Sequence, residues 1–236
     1  MGNILRTQML GSNNIGVYFK ANNHFLFYPP QVRMKKKFDE MVETLTPKDT
    51  DPESFLTLKC TVNHSALLGS HICMNSKGII LPSIITEDEY EKFSQFLDDH
   101  TDMNLGILDS KANAFGNLIC ANDNGAIISP QLTNYQDEIK EILQVSEVAA
   151  LDIANLDIPG SCCVTNNRGT LCHPLIHDRH VAAIERVLQT EVDVSTINCG
   201  APYLQSGALA NDWGAIFGNE TTGPEVQRFS EILGLF

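Results

Sequence analysis

Cys199, His173 and Asp178 are the residue types of a thiol nucleophile with a general base and a carboxylate. Their settings argue against that chemistry, because Cys199 runs into Gly200-Ala201-Pro202 and His173 stands just before Pro174 at what reads as a strand end. A second set, Cys172, His173, His177 and His180, crudely matches a zinc ligand set. Pro174 interrupts it, and His177 with Asp178 opens a helical pattern where polar residues are expected as caps. Vicinal Cys162 and Cys163 read as packed thiols, one facing each side of a strand, and Cys73, Cys120 and Cys172 also fall in apolar strands. The sequence has no Gly-rich phosphate loop, Ser/His/Asp order or CxxC pair, so neither cofactor nor metal is expected.

Charge narrows the partners. The chain of 236 residues carries a net charge of -13, so phosphate backbones repel most of it and a partner should offer a basic protein face. The one basic run, Arg33, Lys35, Lys36 and Lys37, reads as a solvated face at the start of a helix, with a local RNA contact as the alternative. The odd count of 7 cysteines fits a reducing, cytoplasmic setting. No apolar run is long enough to span a bilayer, and Arg6 stands where a myristoylation signal needs Ser or Thr.

The elements that would position these residues recur at a fixed period. Gly69, Asn75, Gly78 and Pro82 form one copy; Gly116, Asn122, Gly125 and Pro130 the next; Gly160, Asn166, Gly169 and Pro174 a third. Gly16, Asn22 and Pro29 make a degraded first copy with Phe25 in place of the turn glycine, and Asn211 with Gly214 marks a last copy without its proline. The copies begin at 16, 69, 116, 160 and 205, the last position being Gln205. Five like wedges predict a ring or a solenoid.

Within a copy, Asn-x-x-Gly predicts a tight hairpin turn with positive φ. Thr86 with Glu89, Thr133 with Gln136 and Thr222 with Glu225 match the helix capping box. Helical stripes follow, among them Tyr90, Phe93, Phe96 and Leu97, and, in the first copy, Met34, Phe38, Met41, Val42 and Leu45. Short strands are expected over 58–62, 105–108, 148–153 and 192–197, and a strand over 4–7 that has no helix before it. Joining the ends would complete the fifth unit and bring Ile4 to the end of the fifth helix, which favours a closed ring. Residues 46–54 read as an inserted surface loop.

Read as a set, the segments Leu68-Gly69-Ser70, Phe115-Gly116-Asn117-Leu118 through Asn122-Asp123, Gly160-Ser161 through Cys172-His173-Pro174, Asn211-Asp212-Trp213 and Thr221-Thr222-Gly223-Pro224-Glu225 are specific. Over its whole length the chain resembles the translation initiation factor 6 family, ribosome anti-association factors of archaea and eukaryotes. The resemblance implies an α/β pentein, a five-fold pseudosymmetric ring with helices outside, as one domain over 1–236. It implies binding and not catalysis: a monomer docks on the large ribosomal subunit, mainly on a ribosomal protein near the sarcin-ricin loop with limited ribosomal RNA contact, and blocks the small subunit. No membrane or small-molecule substrate is implied.

The family's contact face maps to Asn14, Gly16, Gly69, Ser70, Gly116, Asn117, Gly160, Ser161, Ser206 and Gly207. A purely architectural reading of the glycines is that five strand ends crowd one axis. Ser70 replaces the Arg of eukaryotic members, and the chain stops at Phe236 without their longer tail, whereas Asn211-Asp212-Trp213 looks eukaryotic, so lineage stays open. Other penteins are enzymes that attack guanidino carbons with a cysteine, which makes Cys199 with His173 and Asp178 the alternative.

Overall fold

The computed structural model describes residues 3–48, 50, 54–100 and 102–235. The parts of the expected inserted loop at 49 and 51–53 lie outside the described residues. The chain opens with β1 (Asn3–Thr7) and then builds one pattern five times: a helical turn, an inner strand, a hairpin, a middle strand, a long helix and an outer strand. In the first unit these are α1 (Ile15–Tyr18), β2 (Lys20–Ala21), β3 (Phe25–Tyr28), α2 (Lys35–Leu45) and β4 (Leu56–Lys59). The second has α3 (Leu68–His71), β5 (Cys73–Met74), β6 (Gly78–Pro82), α4 (Glu87–His100) and β7 (Asn104–Leu108). The third has α5 (Phe115–Leu118), β8 (Ile119–Ala121), β9 (Gly125–Ile128), α6 (Gln136–Leu143) and β10 (Glu147–Ala150). The fourth has α7 (Pro159–Cys162), β11 (Cys163–Thr165), β12 (Gly169–Cys172), α8 (Asp178–Leu188) and β13 (Glu191–Val194). The fifth has α9 (Leu204–Gly207), β14 (Ala208–Ala210), β15 (Gly214–Gly218) and α10 (Gly223–Ile232).

Each unit forms a three-stranded sheet, antiparallel in its hairpin, as in Cys73↔Ile80, and parallel at its outer strand, as in Ile79↔Leu105. The fifth sheet takes its outer strand from the other end of the chain. β1 pairs parallel with β15 from Asn3↔Gly214 to Thr7↔Gly218, so the five sheets close as a pentein ring. Ile4 therefore lies opposite Ala215, and Asn3 Nδ2 reaches the Glu43 carbonyl near the end of α2, the first long helix and not the fifth.

Long helices turn their apolar faces inward, burying Met41 and Leu45 on α2, Phe93 and Leu97 on α4, Ile139 and Leu143 on α6, Ile184 and Val187 on α8, and Phe229 on α10 with Leu233 at its C-cap. Met34, expected on the inner stripe, is instead the N-cap of α2 and 51% exposed. The capping boxes of α4 and α10 form through Thr86 with Glu89 and Thr222 with Glu225. Thr133 forms none: Pro130–Tyr135 winds as a 3-10 turn before α6, and the Thr133 hydroxyl bonds the Pro130 carbonyl. Three outer strands end sooner than the apolar pattern suggests, because Val62, Ile153 and Ile197 instead make single bridges to Ser65, Leu156 and Ala201.

The Asn of each hairpin does not adopt positive φ, and neither does the turn glycine. Instead, the buried Asn side chains knit the ring. Asn22 Nδ2 donates to the Asn75 carbonyl (2.8 Å), Asn75 to Asn122 (3.0 Å), Asn122 to Asn166 (3.1 Å), Asn166 to Asn211 (3.2 Å), and Asn211 back to Asn22 (3.0 Å). Each Oδ1 accepts the N–H groups of its own turn, such as Lys77 and Gly78 for Asn75. The second Nδ2 proton of Asn75, Asn122, Asn166 and Asn211 goes to a helix-end carbonyl, on Leu143, Leu188, Leu233 and Leu45. A buried amide is thus fully spent, as its desolvation requires.

The turn glycines serve the same approach. A Cβ at Gly78, Gly125, Gly169 or Gly214 would strike the carbonyl oxygen of Ile142, Val187, Ile232 or Thr44, one residue before each of those leucines. The first unit has Phe25 there, packed edge-on against Phe96 of α4 at 5.2 Å between ring centroids. That bulk holds α4 away from the turn, and Asn22 finds Met103 Sδ at 3.8 Å in place of a helix carbonyl.

Candidate functional site

The opposite end of the ring carries the helical turns α1, α3, α5, α7 and α9, each one inner strand away from its Asn-lined turn. Gly16, Gly69, Gly116 and Gly160 are the second residues of four of these turns and are buried. They precede the strands and do not begin them. A Cβ on Gly16 would strike the Gln205 carbonyl, on Gly69 that of Gly16, on Gly116 that of Gly69, and on Gly160 that of Gly116. The glycines therefore crowd one axis, as their architectural reading supposes. The fifth place is Gln205, whose Nε2 donates to the Gly16 carbonyl at 3.3 Å. Gly207 stands two residues beyond that ring place, buried, where a Cβ would press on Asn198 and Ile197.

In α3, α5, α7 and α9 the next residue is polar, whereas in α1 it is Val17. Ser70, Asn117, Ser161 and Ser206 are half-buried, and Asn14, in the loop before α1, is exposed. Ser206 Oγ is used within its own turn, on the Tyr203 carbonyl at 2.7 Å. Among the described residues the side chains of Asn14, Ser70, Asn117 and Ser161 make no hydrogen bond, so this rim holds unspent polar groups beside a tightly packed axis.

Apolar groups border the rim. Leu67 and Tyr203, the N-caps of α3 and α9, are 38% and 42% exposed, and Leu175, between β12 and α8, is 72% exposed. His173 meets Tyr203 edge-on at 6.3 Å between centroids, tying the Leu175 turn to the rim. Met34 lies at this end as well: Lys37 of the same helical turn donates to the Gln8 carbonyl, in the loop that leads to α1. At the Asn end Trp213 is 38% exposed, with the Arg168 guanidinium 5.7 Å over its ring.

Two carboxylates, Glu89 half-buried and Glu225 buried, shape the rim, and the sequence showed only half of what they do. Glu89 caps α4 and also accepts from the Thr61 hydroxyl and the backbone N–H groups of Asn63 and His64. Glu225 does the same for Thr196, Cys199 and Gly200. Both loops contain left-handed residues, Asn63 and His64 in one, Asn198 to Gly200 in the other, so they need such an anchor. Burial alone would raise Glu89, but the bonds from Thr61, His64, Thr86 and Asn63 prevail and hold its carboxyl at about 2. Glu225 is likewise held below the usual range by bonds from Thr222, Thr196 and Gly200 against the opposing pull of burial. The capping-box spacing signalled both residues, but not the loops they reach.

The candidate catalytic and zinc sets do not assemble. Cys199 is exposed and held through its backbone N–H by Glu225, while His173 Nδ1 accepts the Leu175 N–H and burial lowers its pKa. Cys172 is buried with its Sγ 3.1 Å from Cys163 Sγ, His177 faces Asn155, and His180 accepts from Arg179. Cys162 ends α7 and only Cys163 lies in the strand; burial pushes the Cys162 thiol up to about 12. Among the described residues no three His, Cys, Asp or Glu side chains gather as a metal site. The cavity on the axis, lined in part by Lys20, Cys73, Cys120 and Cys163, measures about 70 Å³, too small for a drug-sized ligand.

Five sheets closed around such an axis are matched along nearly the whole chain by one family. The model of the eIF-6 family covers residues 4–232, from β1 to the end of α10. The chain belongs to the eIF-6 family. Translation initiation factor 6 of Saccharolobus islandicus (strain L.S.2.15 / Lassen #1) is 32% identical over 233 residues, covering 98% of this chain and 99% of that one. The Staphylothermus marinus factor is 34% identical over 227 residues, 95% of each chain, and the Methanocaldococcus jannaschii factor 33% over 234 residues, 98% of each. The match spans every unit of this eIF-6 family chain, including the degraded first one and the closing strand. Among its described residues no helix is long and apolar enough to cross a membrane.

Proposed function

We propose that this chain, acting as one ring over residues 1–236, is an anti-association factor that binds the large ribosomal subunit and keeps the small subunit from joining it. The docking face is the rim of helical turns, with Asn14, Ser70, Asn117, Ser161 and Ser206 as its polar contacts. The buried glycines and Gly207 bring those contacts together without touching the partner. The observation that carries this reading is the gathering at one end of the Asn14, Ser70, Asn117 and Ser161 side chains, whose hydrogen-bonding capacity is unspent among the described residues, bordered by the exposed Leu67, Leu175 and Tyr203. Exposed apolar groups around uncommitted polar ones are what an interface core and its rim require. A ribosomal protein near the sarcin-ricin loop is the proposed partner; its basic character would complement a chain of net charge -13. Such a factor works as a monomer in the cytoplasm, without cofactor or small-molecule substrate.

Asn117→Glu tests it. The substituted side chain points off a rim that bears little of the core, so the melting temperature should stay within about 2 °C, while affinity for purified large subunits falls roughly a hundredfold. Full affinity in this variant would reject the rim as the docking face.

A further inference from the structure

The first unit breaks a rule that the other long helices keep. α4 starts with Glu87, Asp88 and Glu89, α6 with Asp137 and Glu138, α8 with Asp178, and α10 has Glu225 in its first turn, each complementing the positive end of the helix dipole. α2 has no acid in its first turn and no side-chain cap, and begins Lys35-Lys36-Lys37 after Arg33. Lys37 is engaged with the Gln8 carbonyl, whereas Arg33, Lys35 and Lys36 are exposed. Asp39 and Glu40 stand four residues on from Lys35 and Lys36, the spacing for ion pairs along a helix, yet neither pair forms. Exposed and without an ion pair among the described residues, these cations flank the 51% exposed Met34 at the end of the ring that bears the rim. In an otherwise acidic protein this concentrates an uncompensated positive potential at one sector of the docking face.

We infer that Arg33, Lys35 and Lys36 make a second contact, on the phosphodiester backbone of an RNA strand at the surface the ring covers. This rests on the reading that the rim faces the large subunit, a ribonucleoprotein whose dense anionic groups are phosphates. Long, flexible cations with no fixed partner suit phosphates, which are held by charge and without sequence reading. The contact orients the ring: in a chain of net charge -13, the run Arg33 to Lys37 is where cations are concentrated.

Dissociation constants for purified large subunits, measured across a salt series for the unaltered chain, Lys35→Glu/Lys36→Glu, Lys35→Gln/Lys36→Gln and Asn117→Glu, test it. For the double glutamate variant we expect affinity at low salt to fall at least tenfold and the slope of log K against log salt to flatten by about 1.4–1.8, at about 0.7–0.9 for each phosphate no longer neutralised. The glutamine variant should flatten the slope equally with a smaller fall in affinity. A slope unchanged in both lysine variants overturns the inference, and weaker binding without flattening does so too, because it means the sector meets protein. Full binding by Asn117→Glu combined with flattened slopes would reject the rim and leave the RNA contact standing.

Discussion

The two ends of the ring are built from the same five repeats and treat their polar groups in opposite ways. At the hairpin end, Asn22, Asn75, Asn122, Asn166 and Asn211 are buried and donate to one another's backbones in a closed cycle. At the other end, glycines take up the crowding on the axis, and Ser70, Asn117 and Ser161 keep their side chains uncommitted. One end spends its hydrogen bonds on stability and the other leaves them for a partner. A repeat fold thus separates the two demands along its axis, so mutations at the two ends should report on different quantities.

The sharpest way to break the comparison is to open the ring. Deleting residues 1–7 removes β1 and bares the edge of β15, and should lower the melting temperature by about 10–20 °C. An unchanged melting temperature would mean that the ring does not depend on closure. Next in size, Asn122→Ala strips partners from the Asn166 and Leu188 carbonyls and the Asn124 and Gly125 N–H groups, and should cost about 3–5 kcal/mol by denaturant titration. Asn22→Ala should cost less, since it holds no helix carbonyl. Equal losses at the two positions would show that the helix carbonyl bond contributes little.

At the rim end, Gly116→Ala should destabilise by about 3 kcal/mol through its clash with the Gly69 carbonyl, marking the axis as structural there too. Tolerance at that position, read by thermal melting, would show that the ring can dilate. The smallest effect is set by pH. Glu89 is held at about 2, below the ordinary value of about 4.3, so its contribution is complete above about pH 5 and fades as pH falls through 4 toward 2. Water still reaches this carboxyl, so the effect is about 1 kcal/mol, and Glu89→Gln should flatten the acid limb of the stability curve by that amount. Identical acid limbs would remove Glu89 as an anchor of the loop containing Asn63 and His64.

The period, the hairpins, the inward helical stripes and the closing strand were legible in the sequence because each leaves a spaced apolar or punctuating residue. What was not legible involved groups that meet only across units. Asn-x-x-Gly reads as a turn with positive φ, yet the Asn serves the neighbouring unit and the Gly clears space for a helix end in the next repeat, as Gly78 does for Ile142. Met34 fits a helical stripe, but lies past the point where the core ends. Thr133 and Gln136 keep the capping-box spacing, and Pro130 diverts them into a 3-10 turn. The rim residues came from resemblance, Gly207 among them; spacing gave Gln205 as the fifth place on the axis, where it meets Gly16.

The pairing of Asn3–Thr7 with Gly214–Gly218 has a consequence for synthesis. The first strand to leave the ribosome waits for nearly the last, so the cycle of Asn22 to Asn211 is incomplete in a nascent chain until its C-terminal unit emerges. A prematurely terminated product would present an open edge and not a finished docking face, and the newly made factor would be checked for completeness before it could occupy a subunit.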